Sequence, residues 1–193
     1  MYRSICKVYK NQVDEGSKIL QCTEDLFTVD DDKKNFNMSY WINPDRGELF
    51  FAEKVILAEG ATDKTVIPYL AENLSIYKFE YTVIDCGGKD NIKIYAHLLN
   101  KFKLPYVAVY DKDNQSSKNS DAINVANKSS QDIEETIDKS LGSSVIFEND
   151  IEEEIGISDE SNKNKPYFAL KMVSGESFTI SEKLKKKVEE IYR

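Results

Sequence analysis

An α/β fold, a parallel sheet with helices on both faces, is what three features of the sequence predict. Val55–Ala58 and Pro105–Tyr110 are apolar runs without alternation, as suits strands buried on both sides. Each ends directly on acids, Glu59 in one case and Asp111-Lys112-Asp113 in the other. Stretches of helical spacing lie between and after them, the order that gives right-handed crossovers and a parallel sheet.

Taken in order, residues 1–50 read as a small β appendage and residues 51–193 as the main domain with a C-terminal helical extension. Tyr2–Tyr9 and Ile19–Cys22 flank Asp14-Glu15-Gly16-Ser17, a hairpin turn, and a polar loop follows from Asp30 to Asn37. After Val55–Ala58 come Glu59 and Gly60, then Thr62 as the expected N-cap of a helix with Asp63 in its first turn. Val66, Ile67, Leu70, Ala71 and Leu74 give that helix its apolar face, with Pro68 tolerable only in the early turns. Glu59 thus stands at the carboxyl end of a strand, where open α/β sheets bind ligands.

Tyr81–Asp85 predicts the next strand, and Cys86-Gly87-Gly88 a turn that frees backbone amides ahead of Lys89. Such a turn can meet a substrate phosphate, or be a plain glycine turn with a solvated lysine. The helix Ile92–Lys103 carries His97, the chain's single histidine, on a solvated face, which argues against histidine acid/base chemistry. Gln115–Ser130, rich in Ser, Asn and Asp, reads as a long loop beside the acidic edge, and Gln131–Leu141 as a helix. Val145–Phe147 is a short strand, and Glu148-Asn149-Asp150-Ile151-Glu152 repeats the strand-then-acids arrangement. Lys163, Lys165 and Lys171 surround Pro166–Leu170, and Glu176–Arg193 is an amphipathic helix with Phe178, Ile180, Leu184, Val188 and Ile191 inward.

If the two acid-ended strands are neighbours, Glu59, Asp111 and Asp113 converge. Carboxylates that close repel unless a cation lies between them, and an oxygen-only set suits Mg²⁺ or Mn²⁺. The formal charge of −8 argues against gripping nucleic acid by general electrostatics. Part of it is local, since 148–160 holds seven acids and no base. Three scattered cysteines suit reduced thiols in the cytoplasm, and no apolar run approaches the length of a membrane span.

Strand-EG-helix followed by strand-DxD is similar to the Toprim domains of topoisomerases, primases and nucleases. Ile42–Gly60 (INPDRGELFFAEKVILAEG), with Gly87, Gly88, Lys89 and Asn91 as a GGK-x-N element, more closely resembles the OLD (overcoming lysogenization defect) family of ATP-dependent endonucleases, over about Tyr40–Leu170. The resemblance implies a two-metal DNA endonuclease, with Glu59, Asp63, Asp111, Asp113, Asp150 and Glu152 as ligands of Mg²⁺ or Mn²⁺. It also implies a functional lysine, Lys165 or Lys171, with Gly60, Gly88 and Lys89 toward the substrate. An ATPase domain ahead of this chain, a homodimer and a role in phage defence are implied as well. No P-loop motif occurs in the sequence.

Several alternatives stay open. Glu59 serves either as ligand or as general base, and Asp150–Glu154 is either a third acidic element or simply a charged helix start. Asp63 is a short ligand where the family has glutamate, or only a helix-start carboxylate. A Toprim scaffold that does not cut is the rival function. A phosphatase built on Asp111-Lys112-Asp113-Asn114 is weaker, because two strands precede that motif.

Overall fold

Four parallel strands in the order β4-β3-β5-β6 form the centre of the molecule, with β3 spanning Lys54–Ala58, β4 Tyr81–Asp85, β5 Tyr106–Asp111 and β6 Gly142–Phe147. This computed structural model describes residues 5–10, 12, 14, 16–23, 47–112, 120–157 and 164–193. Ahead of the sheet, β1 (Cys6–Tyr9) and β2 (Lys18–Gln21) pair antiparallel, Cys6 opposite Gln21, as the hairpin reading predicts. Asp30–Asn37, Asp113, Asn114 and Lys163 lie outside the described residues.

The central strands are apolar because both faces of the sheet are covered. On one face Val55, Leu57, Ala108 and Tyr110 pack against α2 (Lys89–Lys101) and Ile133 of α3 (Ser120–Thr136). Cys22, Leu49 and Phe50 join the same cluster, so the stretch leading into the sheet packs on its core. On the other face Ile56, Val107, Val109 and Phe147 meet α1 (Ala61–Asn73), α5 (Lys165–Val173) and α6 (Glu182–Ile191). A single turn, α4 (Ile151–Glu154), links β6 to that second layer through Ile151.

Three expectations need correction. Gln115–Ser130 is not one loop, since Ser120–Thr136 is continuous helix. Its polar face is bonded to α2, Lys93 Nζ to Asp132 at 2.7 Å and Asn100 Nδ2 to the Thr136 carbonyl at 2.8 Å, while Ile133 is buried. Tertiary contacts there override the weak helix propensity of Ser, Asn and Asp. The last helix begins at Glu182, where the Ser181 hydroxyl accepts from Leu184 N–H as N-cap, so Phe178 and Ile180 pack from the segment before it. Pro68 stands at the eighth position of α1, later than the first turns.

Strand β6 opens on Gly142, whose register partner is Tyr106. A Cβ there would stand 2.5 Å from the Tyr106 ring, which is fully buried and held by its hydroxyl to Asn100 Oδ1 at 2.9 Å. The ring cannot retreat cheaply. Gly142→Ala should cost about 1–3 kcal/mol, and an unchanged urea midpoint would show that the ring yields after all.

Candidate functional site

At the carboxyl edge of the sheet, β3 ends at Ala58 and Glu59 turns the chain toward α1. Gly60, in extended conformation, is the N-cap, and Asp63 at the third helical position accepts from Gly60 N–H at 3.1 Å. The cap is therefore Gly60, with Thr62 one full residue inside the helix. A carboxylate reaching back to the N-cap amide satisfies a donor the helix leaves over, so the sequence signal was Asp63 rather than Thr62.

Asp63 is only 6 % exposed, and its carboxyl is pushed up to about 7. Burial is the main cause, with the charges of Glu152 and Glu59 adding to it and the Gly60 amide opposing. Glu59, Asp63 and Glu152 are therefore close enough to repel. Asp111 joins them through its backbone, donating its N–H to Glu59 Oε2 at 3.2 Å. Four of the six predicted acids thus gather at one edge, while Asp113 lies outside the described residues.

The remaining acid, Asp150, does something else. Its carboxylate caps α4, accepting from Glu153 N–H at 2.7 Å, which is the helix-start role. Glu153 takes the Asn149 side-chain amide at 2.5 Å, and Glu154 pairs with Lys183 at 2.5 Å and Lys187 at 3.2 Å on α6. Burial raises the Glu154 carboxyl, but the two lysines outweigh it and hold it below its ordinary value. Each acid of this stretch therefore has a separate task, and Glu152 is the one that faces the site. Sequence reasoning missed Glu154 as a structural anchor, although its lysines stand four apart on one helix.

Lys165 Nζ is 3.9 Å from Glu152, and its side chain is 48 % exposed. It opens α5 just ahead of Pro166, a residue suited to a helix start. Lys171 is in the last turn of that helix and exposed, and no contact among the described residues ties it to the acids.

The donors expected to face substrate are used inside the site. Gly60 N–H goes to Asp63, Gly88 N–H donates to the Glu59 carbonyl at 2.8 Å, and Lys89, 8 % exposed, donates its ammonium to the Asp111 carbonyl. Lys89 is neither solvated nor turned outward, because the left-handed Gly87 and Gly88 (φ 72° and 125°) aim it beneath the edge. At Gly60 the space is open, since a Cβ would meet nothing within 4 Å.

The donors are all carboxylate oxygens, the chemistry that hard divalent ions take. Among the described residues no three of them already close on a point as a ligand shell. The repulsion from Glu152 and Glu59, which adds to burial in raising Asp63, is nonetheless what a dication would offset.

Residues 50–113 match the family described as Overcoming lysogenization defect protein-like, TOPRIM domain. This segment is similar to OLD-like Toprim domains. Glu59, Asp63, Lys89, Asp111 and Asp113 fall within the matched Toprim residues, whereas Glu152 and Lys165 lie beyond them. An OLD nuclease of Thermus scotoductus is 28 % identical over 92 residues, 47 % of this chain. The match spans 17 % of that relative's own length. Among solved structures, the C-terminal region of the Burkholderia pseudomallei OLD protein aligns with TM-score 0.43 and 18 % identity, covering 73 % of this chain and 82 % of that one. That of Xanthomonas campestris pv. campestris aligns with TM-score 0.39 and 22 % identity, covering 75 % and 80 %. Among the described residues no helix is long and apolar enough to cross a membrane.

Proposed function

We propose that this chain cuts DNA phosphodiester bonds in a divalent-metal-dependent reaction, as the Toprim part of an OLD-type nuclease. The observation that carries the reading is the gathering of Glu59, Asp63, Asp111 and Glu152 at the carboxyl edge of the sheet. With Asp113, these would hold Mg²⁺ or Mn²⁺. Bound there, such ions supply a water of lowered pKa and charge stabilisation on the phosphate oxygens.

The chain's own groups do the rest. Asp111 N–H orients the Glu59 carboxylate, which supports a placed role for Glu59 as ligand or as base. Asp63 is locked by Gly60, so its approach to a cation costs little reorganisation. Lys165, tethered to Glu152 and half in solvent, offers a positive charge to the negative charge that develops on phosphorus-bound oxygen. At Gly60, where an added Cβ would meet nothing within 4 Å, a phosphate would lie beside these groups. Asp150 takes no ligand role in this reading, being occupied as a cap.

DNA, an ATPase domain and a second copy of the chain are the partners this reading carries, and cytoplasmic phage defence its setting. With a net charge of −8 the isolated chain should hold DNA weakly, and its grip should depend on bound cations and on those partners. The test is divalent-ion titration with plasmid nicking: cleavage in Mg²⁺ or Mn²⁺ that chelator abolishes is expected. Metal binding without cleavage at any ion would favour the scaffold role instead.

A further inference from the structure

Strand β5 outruns β3. The last β3–β5 partners are Ala58 and Val109, while β5 continues to Asp111 beside Phe147 of β6. Past Ala58 the Asp111 peptide has no β3 neighbour, and a peptide that leaves its ladder must find other partners. Two side chains stand in for the missing strand. Glu59 Oε2 accepts from Asp111 N–H at 3.2 Å, and Lys89 Nζ donates to the Asp111 carbonyl. The amide next to Lys89, that of Gly88, donates to the Glu59 carbonyl at 2.8 Å, which closes a ring of bonds through Glu59, Asp111 and Gly88-Lys89. The Lys89 ammonium also lies 5.4 Å from the centre of the Tyr110 ring, whose hydroxyl is tied to Glu134 at 2.7 Å.

We infer that Lys89 is a positioning residue: by fixing the Asp111 peptide against Glu59 it keeps the two acidic strand ends in register. Its value for function rests on the metal reading above, whereas its geometry rests on the bond ring alone. Charge and position make opposite demands. A buried ammonium beside ligand carboxylates opposes a dication by Coulomb repulsion, so a lysine acting only as counter-charge would bind metal more tightly once neutralised. A positioning lysine would do the reverse.

The full chain with Lys89→Met should show Asp111 amide hydrogen exchange about tenfold faster, with Val107 and Val109 unchanged, and Mn²⁺ affinity by calorimetry about tenfold weaker. Lys89→Arg, which keeps charge and donor, should recover most of both. Tighter Mn²⁺ binding with unchanged Asp111 exchange would overturn the inference, as would acceleration spread evenly over the β3–β5 ladder. Where the methionine variant does not fold, the wild type decides: a scalar coupling across the hydrogen bond between Lys89 Nζ and the Asp111 carbonyl carbon supports the inference, and its absence in a well-resolved spectrum refutes it. Faster Asp111 exchange with no Mn²⁺ binding even by wild type would uphold the positioning and remove the metal reading.

Discussion

Asp111→Ala and Asp113→Ala each lower metal-dependent nicking by at least about two orders of magnitude, the scale of losing one electrostatic group at a reacting centre. The fold should survive in both. Asp111 closes β5 through its backbone: its amide is bonded to Glu59, its carbonyl to Lys89, and Lys112 N–H donates to the Phe147 carbonyl at 2.8 Å. Those bonds to the peptide do not need the Asp111 carboxylate. Removing a carboxylate from an edge that already holds Glu59, Asp63 and Glu152 relieves repulsion in the metal-free protein, so the melting temperature should hold or rise. Plasmid nicking in Mg²⁺ and Mn²⁺ together with thermal melts makes the comparison. Wild-type cutting by either variant would sink the assignment, and loss of both cutting and fold would assign Asp111 to stability instead.

The second large effect belongs to Asp63 and is a stability effect. Its carboxyl sits at about 7 in the folded chain against an ordinary 3.8, burial being the first cause and Glu152 and Glu59 the next. The folded state therefore binds the proton more tightly than the unfolded chain, and stability falls as pH rises between the two values. The contribution is full below about pH 4 and lost by about pH 8, on the order of 4 kcal/mol. Asp63→Asn keeps an acceptor for Gly60 N–H and carries no charge at any pH, so its metal-free stability should lack this fall while keeping the pH dependence of the other groups. Urea unfolding of both proteins at the two pH extremes reads the difference directly. Parallel pH profiles would mean that Asp63 is better solvated than its 6 % exposure implies. Added Mn²⁺ should restore the wild type at high pH and stabilise the variant less, because a neutral amide is a weaker ligand than the ionised carboxylate.

The strands and the helices after β3 and β4 were legible because buried parallel strands leave unbroken apolar runs, and Val55–Ala58 and Pro105–Tyr110 are such runs. Of helix Ser120–Thr136 only the end from Gln131 was, and the predicted helix ran on to Leu141, because what holds it are partners far off in sequence, Lys93, Asn100 and Asp90. For Asp63 the helix-start and site readings looked like rivals, yet it both bonds Gly60 and lies within the fields of Glu59 and Glu152. For Lys89 the sequence left a phosphate-facing and a solvated lysine open, and only the fold removes the solvated one, by burying the side chain. For Asp150–Glu154 the letters allow any register, and what separates Glu152 from its neighbours is the distant Lys183-Lys187 pair that claims Glu154.

Those ion pairs also set an order in time. Glu59 and Asp111 are supplied by the middle of the chain, but Glu152 is steadied by an anchor two residues on, and that anchor is gripped by α6, whose last carbonyl, at Ile191, is in turn bonded by Lys54 Nζ at 3.2 Å. A ribosome delivers these parts in chain order, α6 after the acids it helps to steady. On the proposed reading, a half-made chain carries most of the acids of a nuclease and cannot yet assemble them, so cutting power arrives only when synthesis of this region is finished.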